Sequence, residues 1–67
     1  MPIIRVEMLE GRTRAQKKEF AESVTREAAR ILGCTPDMVN VVFVCVSRDD
    51  WAFAGRLVSE PDTPPPR

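Results

Sequence analysis

The chain has 67 residues, ten basic and ten acidic, and no histidine. A chain this short hides only about 60% of its unfolded surface, so it makes one domain that needs a disulfide framework, a metal or a partner for firm stability. Two cysteines, Cys34 and Cys45, without CxxC spacing, exclude a framework and, with no histidine, a zinc site; charges that cancel give no reason to expect nucleic acid or an anionic membrane. Oligomerisation is the staple that remains. No apolar run approaches the roughly 18 residues of a membrane span, and no signal-peptide pattern is present. Two unpatterned cysteines fit a reduced compartment, so a cytoplasmic location is expected.

The elements follow in chain order. Pro2 to Leu9 reads PIIRVEML, in which Ile4, Val6 and Met8 alternate with Ile3, Arg5 and Glu7: a strand with one wholly apolar face. Glu10-Gly11-Arg12 is a turn. Thr13 opens a helix, with Gln16 as its capping-box partner, that runs to about Leu32 and stops at Gly33. Phe20, Val24, Ala28, Ile31 and Leu32 form its apolar stripe. Lys17, Lys18, Glu22, Arg26 and Arg30 face away, and Glu22 and Arg26 stand at the spacing of an ion pair.

Thr35-Pro36-Asp37 predicts a short second helical turn. Val39 to Val46 (VNVVFVCV) is the strongest strand, apolar on both faces except at Asn40. Such a strand is buried on both sides, as in parallel sheets. Ser47 to Asp50 is a polar turn, Trp51 to Gly55 is short and apolar, and Arg56 to Ser59 reads as a further short strand. Glu60 to Arg67 (EPDTPPPR) is a proline-rich tail that cannot extend a sheet. The fold class is therefore α/β: a βαβ unit whose parallel strands are joined by a right-handed crossover. One helix cannot cover both faces of the second strand, so another chain must.

The chemistry points to Pro2. A small second residue permits removal of Met1, which leaves a free secondary amine at the first atom of the chain. An open α-amino group titrates near pH 7.7–8.0, and desolvation or a nearby cation lowers it, so this amine is a general base in a chain without histidine. Arg12 lies at the far end of the first strand, about ten residues away. At roughly 3.3 Å per residue the two are too far apart to share a small substrate within one chain. A neighbour's Arg12 can reach Pro2 in an oligomer; read alone, Arg12 is a solvated turn residue.

The stretches MPIIRVEMLEGRT, RAQKKEF, MVNVVFV and DDWAFAG resemble the 4-oxalocrotonate tautomerase family over about Pro2 to Val58. The resemblance implies a tautomerase-like domain over 1–59, with 60–67 as a tail. It implies a dimer with a four-stranded sheet and helices on one face, assembling to a hexamer. Pro2 matches the catalytic amino-terminal proline, which moves a proton in an enol or dienol acid. Arg12 matches the arginine that binds a substrate carboxylate across a subunit boundary, and Trp51 the aromatic wall of the pocket. No cofactor or metal is implied. The family's pathways would place the activity in aromatic degradation.

Asn40 departs from the pattern, because the best-studied relatives carry a second arginine there. Its amide still donates a hydrogen bond but has no charge. Three readings follow: a different substrate, a weaker activity, or an arginine from another chain. Arg48 and Arg56 are local replacements, each more simply read as solvated. The third reading gives an alternative function: a supporting subunit of a heterohexamer, lending Arg12 or Trp51 to a partner's active site. A dehalogenase branch needs an acidic residue where Phe53 stands, which counts against it. A non-catalytic βαβ assembly module is the plain alternative. Ala54-Gly55 replaces a glycine pair common in relatives.

Overall fold

Strand β1 (Ile3–Leu9) and strand β2 (Asn40–Val46) lie side by side and parallel in the computed structural model, which describes residues 1–61. A parallel pair cannot be closed by a tight turn, so the chain must travel back along the strand. Helix α1 (Arg14–Leu32) makes the return; its 19 residues rise about 28 Å, enough to recover the roughly 23 Å of a seven-residue strand. The βαβ unit expected from the sequence is the fold. Most of the expected tail, from position 62 onward, lies outside the described residues.

Both ends of α1 are held as the sequence predicts. Thr13 Oγ1 accepts from the Gln16 backbone N–H at 3.1 Å, and Gln16 Oε1 accepts from the Thr13 N–H at 2.9 Å. Two N–H groups that a helix start leaves open are thereby satisfied. At the other end Gly33 adopts φ 74°, a left-handed conformation costly for any residue with a Cβ, and its N–H donates to Ala29 O at 3.0 Å. A 3₁₀ turn over Pro36–Met38 then leads into β2.

The register runs from Ile3 opposite Asn40 to Leu9 opposite Val46. The Phe20 ring meets Phe43 edge-on at 6.1 Å, which puts α1 on the sheet face of Ile4, Val6, Met8, Val41 and Phe43. These residues are half-buried, whereas Ile3 and Val42 on the other face are 67% and 42% exposed. Among the described residues only Ala29 is buried, and it is still 8% exposed. One copy thus covers one face of its sheet and leaves the other open, as β2's two-sided apolar character requires of a chain that works with a partner.

Two details of the helix differ from expectation. Ile31 and Leu32 end the predicted stripe but stand 66% and 62% exposed, because a two-stranded sheet gives the last turn little to pack on within one chain. Glu22 pairs with Lys18 rather than Arg26, which reaches the Ser23 hydroxyl at 3.5 Å. Lys18 and Arg26 flank Glu22 at equal spacing, and the lysine takes the carboxylate. This hydrogen bond, and then the charge behind it, raises the Lys18 pKa and lowers that of Glu22. The pair is solvent-exposed and contributes little to stability.

After β2, a 3₁₀ turn (Arg48–Asp50) is capped by Ser47, whose hydroxyl accepts from the Asp49 N–H at 3.1 Å. The chain closes with a hairpin of β3 (Ala52–Phe53) and β4 (Arg56–Leu57). Its turn residues, Ala54 and Gly55, have φ of 54° and 76°, the paired positive values that match a tight hairpin to the strand twist. Glu60, the first residue of the expected tail, is tied to the hairpin: its carboxylate accepts from the Leu57 N–H at 2.8 Å.

Two substitutions test these contacts. Thr13→Ala removes the helix cap and should cost about 1 kcal/mol in chemical denaturation, with the fold retained. Val42→Glu places a charge on the open sheet face and should lower the particle mass seen by analytical ultracentrifugation. An unchanged multimer would show that this face is not what holds copies together.

Candidate active site

The parallel register sorts the four candidate residues into two groups. Pro2 and Asn40 enter the sheet together: the Asn40 N–H donates to Pro2 O at 3.0 Å. Arg12 and Trp51 follow the strands at the opposite end, where the Glu10 N–H donates to Val46 O at 2.9 Å. Eight residues of strand, about 26 Å, separate Pro2 from Glu10. No arginine side chain spans that gap, so one chain does not bring the four residues together.

At the first end, Pro2 is half-buried and Asn40 exposed. Asn40 Nδ2 lies 3.8 Å from Met1 Sδ and donates towards it. Met1 is bonded to the Pro2 nitrogen, and its side chain reaches the Asn40 amide. This contact joins residues 39 positions apart and has no signature in the sequence.

At the second end, the backbone around Arg12 is pinned on both sides. Glu10 closes the strand ladder, Gly11 turns the chain with φ 125°, and Thr13 is locked in its capping box. A left-handed φ of this kind favours glycine, so the Gly11-Arg12 order is a backbone requirement. The Arg12 side chain is exposed and has no hydrogen-bond or ion-pair partner among the described residues.

Trp51 is half-buried and lines a shallow hollow of about 260 Å³ with Glu7, Val46, Asp50 and Ala52. The tryptophan is fixed by its own hairpin, since its carbonyl accepts from the Val58 N–H at 2.8 Å. Glu7 and Asp50 had no assigned role from the sequence. Strand parity is the signal that finds Glu7, which alternates onto the same face as Leu9 and Val46. A larger hollow of about 540 Å³, lined by Ala21, Glu22, Thr25, Arg26 and Pro36, contains none of the candidates.

Arg48 and Arg56 both fall at the Trp51 end, away from Asn40. Arg48 is exposed; Arg56 is half-buried beside the Glu60 carboxylate at 3.8 Å. Phe53 sits in the hairpin, 68% exposed. Among the described residues no cluster of potential metal ligands occurs, and no helix is long and apolar enough to cross a membrane.

A family model for the tautomerase enzymes matches residues 2–60. The chain belongs to the tautomerase family. It is 38% identical over 65 residues to a probable tautomerase of Ralstonia nicotianae, covering 96% of this chain and all of that one. It is 35% identical over 60 residues to a 2-hydroxymuconate tautomerase of Bacillus subtilis, covering 90% of this chain and 97% of that one. Among solved structures, a 4-oxalocrotonate tautomerase homologue superposes with a TM-score of 0.88 at 36% identity, over 94% of this chain and all of the other. A heterohexameric 4-oxalocrotonate tautomerase from Chloroflexus aurantiacus gives 0.83 at 30% identity, over 90% and 97%. The chain is thus a tautomerase, an isomerase, built on the βαβ fold of that family.

The separation of Pro2 from Arg12 yields a sharp expectation for this tautomerase. Pro2→Ala and Arg12→Ala proteins should each be impaired, yet regain activity when unfolded together and refolded as mixed assemblies. With random mixing, about a quarter of the sites would combine an intact Pro2 from one chain with an intact Arg12 from another. No recovery in assemblies shown by mass to be mixed would place both residues in one chain's site.

Proposed function

We propose that this tautomerase moves a proton within an enol or dienol carboxylic acid, with the amino-terminal nitrogen of Pro2 as the base. Once Met1 is removed, the neutral amine takes the proton from the enol hydroxyl. The oxygen's electrons form the carbonyl, the double bonds shift along the chain, and the resulting ammonium returns the proton to carbon. Atoms and charges balance within substrate and proline, so no cofactor enters. Arg12 of a neighbouring chain holds the carboxylate by a charge-assisted hydrogen bond, the Asn40 amide donates to the developing carbonyl, and Trp51 dries the pocket.

The observation that carries this reading is the place of Pro2. Its carbonyl accepts from the Asn40 backbone N–H, so its nitrogen is held at the end of the sheet rather than on a loose terminus. The uncovered sheet face and the distant Arg12 both call for a further copy of the chain. A homohexamer satisfies both demands.

A second reading rests on Asn40. A neutral side chain there lets this chain act as the supporting subunit of a heterohexamer, lending Arg12 or Trp51 to a partner; the Chloroflexus relative assembles as a heterohexamer. Activity of the chain purified alone separates the two readings.

The test uses the purified protein with Met1 shown absent by intact mass, assayed by ultraviolet absorbance for ketonisation of 2-hydroxymuconate and 2-hydroxypenta-2,4-dienoate. Pro2→Ala should lose about 10²–10⁴-fold in kcat while keeping its assembly. Arg12→Ala should raise KM and lower kcat, because the contact strengthens as charge builds in the transition state. Unchanged turnover by Pro2→Ala protein would sink the mechanism.

A further inference from the structure

Positive charge gathers at one point of a chain whose net charge is zero. Residues 10–18 read EGRTRAQKK, four basic side chains against one acidic. Lys18 is committed to Glu22. The side chains of Arg12, Arg14 and Lys17 have no hydrogen-bond or ion-pair partner among the described residues. By contrast Arg5, Arg26 and Arg30 meet Glu7, the Ser23 hydroxyl and Glu27. Glu10, the one carboxylate of the run, is exposed and pairs with none of the three cations. Two other carboxylates of this end are engaged elsewhere: Glu7 has Arg5 at 3.9 Å, and the Ser47 hydroxyl donates to Asp50 at 3.3 Å.

Helix stability does not account for the cluster. A helix start favours carboxylates, yet the first turn of α1 has none and opens with Arg14. Arg14 and Lys17, three residues apart, are like-charged neighbours on the helix surface. Nor does the backbone let the charges separate. Thr13 is locked in its capping box with φ −76° and ψ 162°, which holds the Cα atoms of Arg12 and Arg14 at most about 7 Å apart. Arg12 and Arg14 are exposed and Lys17 is half-buried.

We propose that Arg14 and Lys17 surround Arg12 with a positive field that recruits the anionic substrate, acting through space rather than by contact. The proposal rests on the tautomerase mechanism given above and adds two residues to it. A field of this kind raises the local concentration of an anion and its rate of encounter. During catalysis the proton passes between substrate and proline, so the total charge of the pair stays the same. The field therefore lowers KM and leaves kcat nearly untouched. It also grades substrates by charge, since an acid with two carboxylates gains more from it than an acid with one.

The test measures KM and kcat for 2-hydroxypenta-2,4-dienoate, which has one carboxylate, and 2-hydroxymuconate, which has two. The protein is the assembled wild type without Met1, beside Arg14→Gln. At about 10 mM salt charges are felt over about 30 Å, and Arg14→Gln should raise KM about threefold for the monoacid and about five- to tenfold for the diacid. Its kcat should stay within about twofold of wild type. At about 1 M salt, where the range falls to about 3 Å, both losses should vanish. Lys17→Gln should act in the same direction, Arg14→Lys should match wild type, and Arg14→Glu should roughly square the losses. An unmoved KM for the diacid at low salt overturns the proposal. A loss that persists at high salt or falls on kcat marks a direct contact and overturns it too, as does a changed assembly mass, which marks an interface residue. Each of these results leaves proline-dependent tautomerisation standing. Absence of wild-type turnover with both acids overturns the mechanism itself, and this proposal with it.

Discussion

The parallel pairing of β1 with β2 is the constraint on which the rest of this small protein depends. Parallel strands enter a sheet at the same end and leave it at the same end. Pro2 and Asn40 are therefore neighbours across the ladder, and Arg12 and Trp51 follow the strands at the far side. The same pairing demands a long return, which α1 provides, and one return helix covers one face. The separation of the candidate residues and an uncovered face are two consequences of a single choice of strand direction. The assembly proposed above answers both at once.

Much of this fold was legible because its signals are local. The VNVVFVCV run declares a strand with two apolar faces, and the structure shows one of them open. Thr13 with Gln16, and Gly33 after Leu32, state the helix bounds through hydrogen bonds that span three or four residues. What the sequence left undecided involves competition or distance. Glu22 has a basic residue four positions away on either side, and spacing alone does not choose between Lys18 and Arg26. Ile31 and Leu32 continue a periodic stripe past the point where one chain has anything to place against it. Periodicity describes a face without saying whose surface covers it.

The candidate site divides in the same way. Pro2 stands out by position, since only a second residue can become a terminal amine. Arg12 stands out because a glycine turn and a helix cap fix the backbone on either side of it. The relation between Asn40 and Pro2 is different in kind. It depends on the register of two distant strands, Ile3 opposite Asn40, and it becomes visible only as the backbone bond from Asn40 N–H to Pro2 O and the amide's contact with Met1. Glu7 in the Trp51 hollow likewise needs the strand's parity before it means anything.

The base proposed at the chain terminus carries a consequence for its surroundings. The amine must be neutral to accept a proton, and it becomes positive once it has done so. A fixed cation beside it favours the neutral form and also opposes the charge that forms there. A neutral donor such as an asparagine amide does neither.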